Sequence, residues 1–302
     1  MTAAPSVVPA PDSADPGPRT PPWLRHPASR VLLIVVLFVV IQAAAVGSAY
    51  AVGGISPLVG GVVGAAVALG VYAAAVRVVE RRAPVEIDVR AAPRGLLVGA
   101  VWGVGLFALT IGAIAASGGY RVTGAGSTGG MLALLGLAVY AGFVEELVFR
   151  GVLFRVVECM AGTWIAMLVS AAAFGGVHLL NPNATVWGAV AVAIEAGLLL
   201  AAAYVVTRRL WMPIGLHVAW NFTQGGVFGV EISGSGLGSQ GVLRGELSGP
   251  VWLSGGAFGA EASVFAVVFC AAATAFLLRR AARAGQIRPF APGRRSAAGH
   301  SH

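Results

Sequence analysis

Residues 141–151 read AGFVEELVFRG, two adjacent glutamates and an arginine set inside an apolar run. Two further polar groups stand in similar surroundings, Phe174-Gly-Gly-Val-His178 and His217-Val-Ala-Trp-Asn221. In a helix the last pair, at i and i+4, shares one face. Carboxylate, imidazole and carboxamide are what amide hydrolysis requires: a base for the attacking water and donors for the developing oxyanion. The same residue types suit other chemistry. Two neutral imidazoles and a carboxylate make three ligands for a zinc with a fourth position open to water. Intramembrane acids and histidines also form proton relays. Glu146 and Arg150 have ion-pair spacing, which leaves Glu145 as the odd carboxylate. A buried packing network of all three is the plainer alternative.

The elements that carry these groups are membrane helices. Of 302 residues, 57% are hydrophobic and only 11% charged, against about a quarter charged in a soluble domain. Mean hydropathy is +0.83. Apolar runs of spanning length recur near 31–52, 56–79, 95–117, 131–158, 163–180, 184–206, 211–230 and 257–278. The expected fold is therefore all-α, a polytopic membrane helix bundle of about eight transmembrane helices. A Pro-rich tail, 1–29, has the composition of a disordered segment, and its length argues against a cleaved signal peptide. The transmembrane domain covers 30–280, with its motif core at 131–230, and an Arg-rich tail follows at 281–302.

Charge placement sets the expected orientation. With both termini cytosolic, only Arg121 and Arg244 among the loop and tail arginines fall outside. The net charge of +8 then marks topology, and no nucleic-acid partner is expected. All twenty basic residues are Arg, which reads as the bias of a GC-rich genome and a multi-pass protein of a bacterial plasma membrane. Cys159 and Cys270 lack the spacing of a disulfide framework or zinc knuckle. His300 and His302 lie in the tail, where no metal role is expected.

Charges inside a bilayer must be sheltered. Each costs about 2.5–3.5 kcal/mol at mid-membrane, so Glu145, Glu146 and Arg150 together would cost about 8–10 kcal/mol if exposed to lipid. A turn near Ala161-Gly162 places Glu145 about 16 residues before it and His178 about 17 after. At about 1.5 Å per residue the two stand level on antiparallel helices. Asn221 and His217 follow the Arg208-Arg209 turn by about 12 and 8 residues, within two helical turns of that level. Glu195, about 14 residues before that turn, lies near the height of Asn221. It is a candidate to hydrogen-bond a motif residue, to handle substrate or protons, or to serve structure alone.

EELVFR (145–150), FGGVH (174–178) and HVAWN (217–221), in this order on separate spans, resemble the CPBP family of intramembrane proteases. That family is also called Abi or type II CAAX endopeptidase-like. The likeness covers about residues 80–230 with no departure in the motif residues. It implies an eight-helix endopeptidase cutting peptide bonds in a polar cavity, with the bilayer and a peptide or protein substrate as partners. By this resemblance Glu145 activates the attacking water and His178 helps hold it. His217 and Asn221 stabilise the oxyanion, and Glu146, Arg150 and Phe174 support the site. The family has been described both as metal-dependent and as using glutamate directly. A divalent metal such as zinc, if used, would have Glu145, His178 and His217 as ligands.

Rival protease signatures are missing. There is no HExxH, no GxGD, and the serines of GAGSTGG and SGSG are expected in outside loops with no nucleophile elbow. Two other functions fit the residue types. One is a proton-coupled transporter using Glu145, His178 and Glu195, although no internal repeat is apparent. The other is a non-catalytic scaffold or immunity protein on the same fold.

Overall fold

The computed structural model describes residues 26–237 and 241–290. Helices α1 (Pro27–Gly53), α2 (Pro57–Val78) and α3 (Ala92–Ala116) each carry Pro in the first turn, where the missing N–H costs no helical bond. Strand β1 (Tyr120–Ala125) leads into α4 (Thr128–Glu146), capped by Ser127 Oγ accepting from Gly130 N–H. A π-helical turn, Leu147–Phe154, carries α4 into α5 (Arg155–Val177), which ends in a 3₁₀ turn, His178–Leu180. One rod comprises α6 (Val186–Val192), a π turn (Ala193–Leu198) and α7 (Leu199–Thr207). Next, α8 (Trp211–Asn221) ends in a third π turn, Phe222–Val227. Strand β2 (Leu243–Leu247) pairs antiparallel with β1, Tyr120 opposite Leu247. A short α9 (Val251–Ser254) precedes α10 (Val264–Arg283).

Six helical stretches among the described residues are long and apolar enough to cross a membrane, as a multi-pass chain requires. One of them, Thr128–Leu180, is interrupted at Gly162 (φ 80°, ψ 171°). The expected number of eight counts its two arms separately and adds 211–230, whose α-helical part ends at Asn221. Gly162 sits at the turn expected there. A Cβ on it would crowd Arg288 O and the Pro289 backbone, so the positive φ and the close approach both demand glycine. The chain after α10 packs over this break: Thr163 N–H donates to Arg288 O (3.0 Å) and Arg288 N–H to Thr163 Oγ1 (2.9 Å).

The centre of the bundle is α8, every residue from Trp211 to His217 being buried. Its nearest partner is α3, through Gly95, Gly99 and Gly103, each one helical turn apart. A Cβ on Gly99 or Gly103 would overlap the carbonyl oxygen of Met212 or Leu216. Small residues at this spacing let two helix backbones touch, the means of association open to helices in lipid. That contact seats the helix bearing His217 and Asn221.

Ion pairs close one end of the bundle. Arg155 is bonded to Glu80, and Arg82 holds Glu80 (2.8 Å) and Glu86 (2.6 Å). Arg208 donates to Glu158 (2.5 Å) and to Gln286 O. Burial alone would raise the Glu80 carboxyl, but the Arg155 and Arg82 guanidinium groups outweigh it and hold it below the usual carboxylate range.

Three boundaries differ from the sequence expectation. The helix expected over 257–278 begins at Val264, because Gly259 has φ 118° and Ser263 caps the helix by accepting from Ala266 N–H. The tails also yield to helix: α1 starts at Pro27, inside the segment expected to be disordered, and α10 runs on to Arg283. Residues 1–25 and 291–302 of the expected tails, His300 and His302 among them, lie outside the described residues. The Gly/Ser loop expected over 231–256 contributes β2 and a folded segment, 231–237, that lines the site.

Candidate active site

Two of the three motifs, and Glu195, stand at π turns. Leu147–Phe154 follows Glu145-Glu146, Ala193–Leu198 contains Glu195, and Phe222–Val227 follows Asn221. A π turn widens the helix and shifts the faces on either side of it, and such turns recur at functional sites.

Glu145, His178, His217 and Asn221 line one cavity of about 210 Å³. Glu145 enters it from α4, His178 from the end of α5, and the other two from α8. A smaller chamber of about 20 Å³ adjoins it, with His178, His217 and Asn221 again in its lining and Phe174, Glu195 and Glu261 deeper. That is room for about one water among polar groups. The four residues expected to do chemistry are thus brought together, and Glu195 with them.

Behind the cavity lies a buried buttress. Glu146 and Arg150 are both fully buried. Glu146 Oε1 accepts from Arg150 Nη1 (2.7 Å) and from His217 Nδ1 (3.2 Å). Arg150 Nη2 donates to the carbonyls of Ala196 (3.2 Å) and Gly197 (3.0 Å), freed by the π turn. Its guanidinium lies 4.6 Å from the Phe174 ring centroid, and that ring meets His217 edge to face at 5.9 Å. The carboxylate therefore fixes the His217 ring and turns Nε2 toward Glu145, whose Oε2 is 4.0 Å away.

His178 is fixed differently. Its Nδ1 donates to Phe174 O at 2.6 Å, since a carbonyl can only accept. The neutral ring then bears its lone pair on Nε2. Glu145 is the more exposed carboxylate of the pair, 28% for its side chain against 0% for Glu146, so it is the one water can reach.

The donor set does not fit a divalent ion. Among the described residues no three His, Cys, Asp or Glu side chains are arranged to hold one. Zinc ligands stand at about 2.0–2.2 Å from the metal. The set Glu145, His178 and His217 shares a cavity without closing to that geometry.

Sequence reasoning missed a second polar layer. Glu261 accepts from Ser233 N–H (2.9 Å), Ser233 Oγ (2.6 Å) and Gln224 Nε2 (2.8 Å). Asn181 Nδ2 donates to Ser233 O at 2.6 Å. These bonds draw 231–237 against the site, so Ser233 and Ser235 of SGSG line the cavity, a contact the sequence did not announce. The available signal was Glu261 itself, a carboxylate next to an apolar run.

No curated protein and no solved structure matches the chain. A family model does match residues 127–223, from the cap of α4 to just past Asn221. All three motifs and the buttress lie within it, and over this core the chain is similar to the family described as type II CAAX prenyl endopeptidase, Rce1-like.

Proposed function

We propose that the protein is an intramembrane endopeptidase that hydrolyses a peptide bond of a membrane-associated peptide or protein with a water activated by Glu145. The family is described as an endopeptidase, and the observation that carries the finer reading is the shared cavity of Glu145, His178, His217 and Asn221. A water there donates one hydrogen to Glu145 and the other to His178 Nε2. Glu145 takes its proton as the oxygen attacks the carbonyl carbon. The oxyanion accepts from the Asn221 carboxamide N–H and from His217 Nε2–H. In that role His217 carries both ring protons, Nδ1–H being given to Glu146. Collapse of the intermediate returns the Glu145 proton to the departing nitrogen, leaving a carboxylic acid and an amine.

Preorganisation supports the assignment. His217 is held by Glu146, Glu146 by Arg150, and Arg150 by two backbone carbonyls, so the donors need little reorganisation as charge develops. Glu146 and Arg150 are positioning residues. Because the ligand geometry for a metal is missing, no step is routed through one.

The test is hydrolysis in ¹⁸O-labelled water with a membrane-peptide library and the purified protein. One labelled oxygen should enter each new carboxyl terminus with wild type, and no products should form with Glu145→Ala. Label incorporation equal in both would contradict the assignment. No cleavage with either would favour the transporter or scaffold.

A further inference from the structure

A cleft of about 490 Å³ lies at the end of the bundle where α3 and α8 begin and α7 and α10 finish. Four arginines line it: Arg90 and Arg94 at the start of α3, Arg209 between α7 and α8, and Arg280 in the last turn of α10. They come from separate stretches of chain, so the fold gathers them. No carboxylate lines the cleft, and among the described residues none of the four makes an ion pair with one. The Arg209 guanidinium donates to Arg208 O, at 3.4 Å, and Arg280 lies 5.9 Å from the Phe276 ring centroid. Three other arginines at this end are matched, Arg82 and Arg155 by Glu80 and Glu86, and Arg208 by Glu158. The four like charges here repel one another until an anion joins them.

Apart from Thr207, the rest of the wall is apolar. Trp102 stacks on Phe276 with centroids 5.9 Å apart, and Val98 lines the cleft one turn beyond Arg94. Val98 is exposed, with Leu97 and Val101 beside it on α3, which is the bilayer-facing side of a membrane helix. A free phosphate would use the arginines and leave this wall wet. An anion that brings hydrocarbon from the bilayer uses both.

We propose that this cleft binds an anionic glycerophospholipid, its phosphate among Arg90, Arg94, Arg209 and Arg280 and an acyl chain along Val98 and Trp102. Basic pockets between membrane helices recognise such headgroups. None of these residues lines the catalytic cavity, so the site stands apart from the protease assignment.

Native mass spectrometry of the full chain in detergent tests it, with phosphatidylglycerol and phosphatidylcholine of matched chains. Phosphatidylglycerol should bind at least about tenfold more tightly, at about fivefold per basic contact. Arg90→Gln with Arg94→Gln should weaken it about 30-fold and weaken phosphatidylcholine, which has no net charge, by much less. Val98→Trp, which fills the apolar wall, should also weaken it while keeping all four charges. All three positions are exposed, and a thermal melt matching wild type checks the fold; Arg280→Gln serves as a second variant. Equal affinity for the two lipids, or undiminished binding in the arginine variants, would overturn the proposal. Displacement of the lipid by glycerol phosphate at equal concentration would overturn it too, revealing a site for a soluble anion.

Discussion

At the residue scale, the site depends on a chain of hydrogen bonds in which each group holds the next. Removing Arg150 takes the guanidinium from a fully buried Glu146 and loosens the hold on His217. Arg150→Ala should therefore lower stability by about 3–5 kcal/mol, the cost of breaking a buried pair, and reduce turnover with it. Thermal unfolding and peptide cleavage on the same preparation check this; lost turnover at unchanged stability would move Arg150 into the chemistry. Asn221→Ala removes only an oxyanion donor. It should reduce kcat by about 10²–10³ with the melting temperature near wild type.

The principal side chains were legible because lipid is intolerant of charge. Two glutamates, an arginine and two histidines in apolar runs need partners, and helix-turn arithmetic brings them level. The bond from His217 to Glu146 was not legible, since it depends on ring orientation across α4 and α8. Nor was the role of Glu261, whose partners lie in a loop that hydropathy alone sends out of the bundle.

At the scale of elements, α8 carries two of the four cavity groups, and its seat on α3 decides where they stand. Gly99→Val would press a side chain into the Met212 carbonyl. It should destabilise by about 1–3 kcal/mol or more and lower activity by displacing His217. Gly105→Val, on the same helix with open space around it, is the control and should change neither quantity. Denaturation midpoints and cleavage rates of the two variants make the comparison. The repeat Gly95-xxx-Gly99-xxx-Gly103 stood in the sequence, but nothing there named its partner helix. The π turns were equally hidden, because their extra residue leaves no mark on apolar periodicity. The Gly162 turn was readable: glycine interrupts a run too long for one span.

Across the whole molecule, the ion cluster at one end ties α2 to α5 through Glu80 and Arg155. Glu80 titrates below its ordinary range when folded. A depressed carboxyl adds stability that is fully present above the unfolded pKa, about 4.3, and is lost as pH falls through the lower folded value. The melting temperature should hold between pH 7 and 5 and then drop toward pH 3. Glu80→Gln should start lower and fall less steeply over that acid window; parallel curves would show that Glu80 does not supply the acid sensitivity. The bundle class was readable from hydropathy alone. Its two-stranded ribbon was not, since β1 and β2 are separated by more than a hundred residues and joined only in the folded chain.

The most direct measurement is the single-turnover cleavage rate of Glu145→Gln against wild type, in liposomes with the same peptide. Gln keeps the volume and most hydrogen bonds of Glu145 but cannot take the proton from water, so the rate should fall by about 10²–10⁴ while folding and peptide binding survive. Cleavage by Glu145→Gln at the wild-type rate would contradict the account.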